Sequence, residues 1–304
     1  MKHLIIITGP TAVGKTDFCI DLAKKYNTEI VSCDSRQIYK GLIIGTAQPT
    51  QEQMASVRHH LVNFVDVDRL YTVANFVEDA NKIINELFLT KDVVVMTGGT
   101  GLYINAFVYG LDEIPAVDEV IRRQVREDYK NFGLEFCLGK LKQIDAECES
   151  FLSIKNPQRV LRALEVGLQT GRPLRYFYKE KHLSSDYKIS LIGINRDRLE
   201  LYERINKRVD LMFNSGLEKE VKGLYNSGLN ENNQSMKGIG YKEFLPYVRE
   251  DNTFSDEDIE KIKYDIKLNT RHFAKRQLTW FRRERDVIWV DRKKSDEIYS
   301  VLKL

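Results

Sequence analysis

The residues with the clearest chemical potential stand near the start of the chain, where Gly9, Pro10, Thr11, Ala12, Val13, Gly14, Lys15 and Thr16 follow the apolar run Leu4-Ile5-Ile6-Ile7-Thr8. A β-branched strand ending in G-x-x-x-x-G-K-[ST] is a phosphate-binding loop: backbone N–H groups wrap an anion, and the helix that opens next turns its positive end toward it. Lys15 adds a mobile charge for the terminal phosphate oxygens, and the Thr16 hydroxyl is placed to hold Mg²⁺. The bland alternative is a glycine turn ahead of an ordinary amphipathic helix. A strand before the loop and a helix expected over residues 16–26 favour phosphate binding. The loop does not name a reaction, because kinases, ATPases, GTPases and other users of diphosphates share it.

The elements that must position this loop read as alternating strands and helices. Residues 29–33 form a buried strand that ends at Asp34-Ser35-Arg36-Gln37-Ile38-Tyr39. A polar cluster at the carboxyl end of a parallel strand is where open α/β sheets bind ligands. Asp34 therefore has two readings that spacing leaves open, a carboxylate facing the bound phosphate or the N-cap of a turn. Residues 45–50 read as an irregular loop and 61–65 as a short strand. Residues 73–89 carry Val73, Phe76, Val77, Ala80, Ile83, Ile84 and Leu87 at helical spacing. Residues 92–96 are a strand leading into Thr97-Gly98-Gly99-Thr100-Gly101. A phosphate-loop ATPase usually has an Asp after such a strand to hold the metal's water shell. Thr97 and the glycines instead point to backbone and Thr100 contacts with a substrate.

Between residues 115 and 187 the pattern changes to charged helical segments without a strand, which marks an inserted helical module. Asn156-Pro157 starts a helix there and Gly171 ends it. Val160, Leu161, Leu164 and Leu168 give its buried stripe; Gln158, Arg159, Arg162 and Gln169 give the opposite face. The β pattern resumes at 188–194. A helix follows over 197–212 with an apolar line of Leu201, Ile205, Val209 and Met212, carrying Arg204, Lys207 and Arg208. The stretch 256–285 has an apolar line at Ile262, Ile266, Phe273 and Trp280, with Lys263, Lys267, Arg271, Lys275, Arg276, Arg282 and Arg283 on its other faces. Basic helices interleaved with aromatics suit nucleic acid, since cations meet phosphates and rings stack on bases. Residues 287–290 close the chain as a terminal strand.

The expected fold class is α/β, a P-loop NTPase-like parallel sheet flanked by helices with an inserted all-helical domain. The expected boundaries are 1–114 and 188–304 for the core and 115–187 for the insertion. The 304 residues, 42% hydrophobic and 30% charged, are globular values, and a net charge of +3 requires local clustering to carry any argument for a polyanionic partner. The four cysteines, Cys19, Cys33, Cys137 and Cys148, show neither a C-x-x-C pair nor a histidine at ligand spacing, so reduced thiols and no structural zinc are expected. No apolar run is long enough to span a bilayer, and no signal-peptide pattern precedes the first strand. The expected compartment is the cytoplasm.

Taken together, GPTAVGKT at 9–16, DSRQIY at 34–39, IGTAQPT at 44–50, GGTGLY at 98–103, NPQRVLRALE at 156–165 and RQLTWFRR at 276–283 resemble the tRNA dimethylallyltransferases. The resemblance implies transfer of a dimethylallyl group from dimethylallyl diphosphate to the N6 amine of the adenosine 3′ of the anticodon, with Mg²⁺ required and diphosphate released. It implies Asp34 as general base and residues 11–16 as the diphosphate cradle. It also implies tRNA contacts at Asp34, Ser35, Arg36 and Gln37, at Thr100, at Arg122 (or the adjacent Arg123), and at Gln158, Arg159, Val160, Leu161 and Arg162. The family commonly has Lys where Gln48 stands. The physics agrees: an amine conjugated with a purine is a weak nucleophile that needs a base, and Lys15, Mg²⁺ and Arg208 are fixed charges for the leaving diphosphate. The expected partners are the tRNA anticodon stem-loop and dimethylallyl diphosphate, with no membrane and no second copy of the chain. The competing readings are prenyl transfer to free adenosine nucleotides, a nucleoside kinase, and an RNA-binding protein that senses nucleotide.

Overall fold

The computed structural model describes residues 2–178, 186–249, 253–294 and 299. Its contact pattern divides the chain into two units, Met1–Val108 with Ser184–Leu304, and Tyr109–Leu183. The expected boundary at 115 lies further along, because the chain leaves the first unit at the end of a helix and runs extended before the next one begins.

The first unit is built on six parallel strands, β1 (His3–Thr8), β2 (Ile30–Ser32), β3 (His59–His60), β4 (Val93–Thr97), β5 (Lys188–Asn195) and β6 (Val287–Asp291), in the order β3-β2-β4-β1-β5-β6. All but β3, which is the pair His59–His60, are largely apolar, and β1 is buried along its whole length, as a strand covered on both faces must be. The helices of this unit are α1 (Lys15–Lys25), α2 (Gln51–Ser56), α3 (Val73–Leu87), α4 (Gly101–Tyr109), α8 (Arg198–Asn214), α9 (Leu217–Asn226) and α10 (Asp256–Phe281); those of the second unit are α5 (Glu119–Ile144), α6 (Cys148–Phe151) and α7 (Pro157–Thr170). Because β1 lies between β4 and β2 on one side and β5 on the other, the carboxyl ends of β1, β2 and β4 lie side by side. The phosphate loop, Asp34 and the Thr97–Thr100 turn leave the sheet together at that edge.

Two sequence expectations fail in this unit. Residues 61–65 are not a strand: Leu61 and Asn63 take left-handed backbone angles, φ 58° and 55°, and the segment folds onto residues 37–40 through Asn63 N to Gln37 O (2.8 Å) and Val65 N to Ile38 O (2.9 Å). The strand at this sheet edge is His59–His60. On α10 the buried line is Ile262, Ile266, Ala274, Gln277 and Phe281 in place of the expected Phe273 and Trp280. The basic flank is also partly committed, since Lys263 and Lys267 reach Asp210 on α8 at 3.5 and 2.6 Å.

The second unit has its own core of Val125, Cys137, Leu138, Leu141, Cys148, Val160, Ala163, Leu164, Val166 and Leu174. Its helix α7 begins with Asn156 capping the Arg159 amide and Pro157 in the first turn, and it ends on Gly171 at φ 69°. Leu168 is exposed, contrary to the expected stripe. Ala163 and Gly167 face the core instead, and a Cβ on Gly167 would come within 3.0 Å of Ile144, so the helices approach through small residues and turn the buried face away from Leu168. Among the described residues no strand occurs in this unit, and in the whole chain no described helix is long and apolar enough to cross a membrane.

Candidate active site

The phosphate loop has its carbonyls tied by side chains, while two of its amides, Thr11 N and Val13 N, are already engaged, by Gln277 and Pro10 O. Gly14 precedes α1 in a left-handed conformation (φ 100°) with no side-chain cap, which leaves the first-turn N–H groups to an external anion. On the outer side, Arg204 Nε donates to Ala12 O (2.8 Å) and Arg196 Nε to Val13 O (3.3 Å). Lys15 Nζ donates back to Gly9 O and Pro10 O, both at 2.9 Å, so its ammonium crosses the mouth of the loop. Arg208 reaches the Thr11 hydroxyl at 3.3 Å. Gln277, buried on α10, accepts from Thr11 N and donates to Gly99 O, each at 2.9 Å, and so joins the phosphate loop to the Thr97–Thr100 turn.

The cations here are electrostatically costly. Burial, with the nearby Arg208, lowers Lys15 to about 8, while Asp34 opposes the shift. Burial and the neighbouring Arg204 likewise lower Arg208 from its ordinary value. Enclosed cations that repel one another are relieved by a bound dianion, which is the electrostatic character a diphosphate requires.

Asp34 does part of what each reading expects. Its Oδ1 accepts from Arg36 N (2.8 Å) and Gln37 N (3.3 Å), so the carboxylate shapes its own turn. It is nevertheless only half-buried and borders both cavities described below. Ser35 N donates to Thr100 Oγ1 (3.0 Å), Arg36 donates to Gln234 O (2.7 Å), and Gln37 Nε2 donates to Ala47 O (2.9 Å). Gln48, where a lysine was the family expectation, is buried with its amide donating to Gln37 O (3.0 Å) and Tyr39 O (3.1 Å).

Two adjoining cavities meet at these residues. The first, about 330 Å³, is lined by the loop residues Thr11 to Thr16 other than Val13, with Ser32, Asp34, Thr97 and Gln277. The second, about 300 Å³, is lined by Ser35, Arg36, Thr100, Met212, Ile239 and Arg276 among others. Thr11, Asp34, Thr46, Ala47, Arg208 and Phe273 border both. Among the described residues no group of three or more His, Cys, Asp or Glu side chains is arranged to hold a metal unaided. The oxygens of Thr16, Ser32 and Asp34 around the first cavity are hard donors that would suit a hydrated Mg²⁺.

A sequence model of the family described as IPP transferase matches residues 37–284 of this chain. The chain belongs to the IPP transferase family. It is 40% identical to the tRNA dimethylallyltransferase of Acetivibrio thermocellus over 100% of this chain and 96% of that protein. It is 38% identical to that of Cytophaga hutchinsonii over 95% and 92% of the two chains. The crystal structure of the full-length tRNA isopentenylpyrophosphate transferase from Bacillus halodurans is similar at a TM-score of 0.70 and 38% identity, covering 100% of this chain and 96% of that one.

Within this IPP transferase, the expected residues fall into two sets. Gly9 to Thr16, Asp34 to Gln37, Thr100 and Arg208 gather at one sheet edge of the first unit. Arg122, Gln158, Arg159, Leu161 and Arg162 belong to the second unit, where Gln158 and Arg159 are exposed and Arg162 lies 3.6 Å from Glu165. Val160 is fully buried in that unit's core, so its side chain is not a surface contact as expected. Sequence reasoning gave no role to Gln277, Arg196 or Arg204. Gln277 was visible as a polar residue on the apolar line from Ile266 to Phe281; Arg204 shares a helix face with Arg208 one turn away.

Proposed function

We propose that this chain transfers the dimethylallyl group of dimethylallyl diphosphate to the N6 amine of the adenosine 3′ of the anticodon in tRNA, acting in the cytoplasm with Mg²⁺. Family membership supports the reaction class. The observation that carries the reading is the pair of cavities bordered jointly by Asp34, Thr11 and Arg208. A diphosphate on the loop amides and Lys15 leaves its allylic end toward that shared border, and an adenine entering the second cavity brings its amine to the same border.

The allylic C–O bond breaks as the N–C bond forms, the amine proton passes to Asp34, and diphosphate leaves with the C–O electron pair. Negative charge grows on the leaving group, where the loop amides, Lys15 and Arg208 are already oriented. Bound Mg²⁺, held through Thr16, would supply further charge neutralisation there. Phe273, on both cavities, offers an apolar wall beside the reacting carbon. Thr97, at the end of β4, fits this chemistry because no water has to be directed at phosphorus.

The reading is tested with radiolabelled dimethylallyl diphosphate or ATP, each offered unmodified tRNA, AMP or a nucleoside. Label from the prenyl donor entering tRNA alone is the expected result. Label entering AMP preferentially, or label moving from ATP, would replace the reading with a free-nucleotide prenyltransferase or a kinase.

A further inference from the structure

Thr46 and Ala47 border both cavities, and the three amides just before them are received by a single carboxylate. Glu220 on α9 accepts the consecutive amides of Ile43 (3.1 Å) and Ile44 (2.8 Å) on Oε2 and that of Gly45 (3.1 Å) on Oε1. The Tyr241 hydroxyl donates to the same Oε1 at 2.6 Å. Successive N–H groups converging on one point make an anion-binding nest, and here the chain fills it with its own carboxylate. Among the described residues Glu220 has no ion-pair partner, so its charge is answered by backbone and phenol alone.

The packing around this nest leaves little slack. A Cβ on Gly45 would lie 2.5 Å from the Tyr241 ring, and one on Gly240, at φ 99°, would lie 2.9 Å from Gly45 O. The 238–242 turn is thereby locked to the 43–47 segment. Gly45, Thr46 and Ala47 form one side of the second cavity, and Lys237, Gly238, Ile239 and Lys242 another. Thr46 O and Ala47 O also receive the Gln37 side chain next to Asp34. Displacing Glu220 therefore moves both walls of the acceptor cavity, while the phosphate loop keeps its own anchors, Ala12 O on Arg204, Val13 O on Arg196 and Thr11 N on Gln277.

We propose that Glu220 is a positioning residue that shapes the acceptor cavity through its anion-filled nest without touching either substrate. The inference rests on the proposed reaction for its kinetic consequence, but the nest itself can be measured apart from it. Amide hydrogen exchange of residues 43–45 should quicken by about tenfold or more in Glu220→Ala, and formate, able to occupy the vacated nest, should restore protection where sodium chloride of equal ionic strength does not. Turnover should fall by about tenfold or more in Glu220→Ala with the KM for dimethylallyl diphosphate changed by less than about twofold, and formate should recover it saturably. Glu220→Gln keeps the volume and covers the case of a poorly folding alanine variant; it should show the same split between kcat and donor KM. Unchanged exchange at 43–45, or lost turnover that carries donor KM with it and ignores formate, would overturn the proposal. If the wild-type chain moves no prenyl group, the exchange measurement still decides the nest, and the proposed function fails separately.

Discussion

Lys15 is the residue whose ionisation should report donor binding. It is enclosed next to Arg208 and lowered to about 8, so between that value and its ordinary 10.5 the folded protein has lost a proton that the unfolded chain retains. Stability therefore rises with pH across this window on account of Lys15, and this contribution is absent below it. A bound diphosphate acts in the opposite sense, pulling the lysine back toward its ordinary value. Affinity for inorganic diphosphate should fall above about pH 8, and wild type should take up more protons on binding than Lys15→Gln, by up to about one. Calorimetry in buffers of different ionisation enthalpy checks this. Equal uptake by both proteins would mean that the ammonium stays on Gly9 O and Pro10 O and does not follow the phosphate.

At the scale of elements, the first turns of α7 carry Gln158 and Arg159 exposed and Arg162 half-buried. If these side chains meet tRNA phosphates, Arg159→Ala and Arg162→Ala should each reduce the slope of log tRNA affinity against log salt by about 1, leaving donor KM unchanged. Filter binding across a salt series gives the slopes; an unaltered slope would return them to ordinary solvated surface. Elements whose signals are local were legible in the sequence. β1 and α7 needed only an apolar run or a cap and a stop, and Asn156, Pro157 and Gly171 mark α7 within a residue. Features set by distant partners were not legible. Residues 61–65 have a strand's composition, but Leu61 and Asn63 turn left-handed to meet residues 37–40. Glu220 looks like any charged residue on a surface helix, because the amides it receives lie 175 to 177 positions away. Phe273 has the spacing of a core residue and the location of a cavity wall, and periodicity does not distinguish the two.

For the whole molecule, the sheet order accounts for the convergence of the site. Placing β1 between β4 and β5, with β2 beyond β4, brings the phosphate loop, Asp34 and Thr100 to one edge although they leave different strands. The helical unit is inserted in sequence between α4 and β5 and folds on its own core, so it leaves the order of the strands undisturbed. The central claim is that prenyl transfer takes place where the two cavities meet, with Asp34 accepting the proton. The most direct measurement is the single-turnover rate of transfer from radiolabelled dimethylallyl diphosphate to unmodified tRNA by wild type and Asp34→Asn, alongside diphosphate and tRNA binding. Asparagine keeps an oxygen for the Arg36 and Gln37 amides while removing the base. The account predicts a rate lower by roughly 10²–10⁴-fold with both affinities retained. A rate close to wild type would contradict it and leave Asp34 as the cap of its own turn.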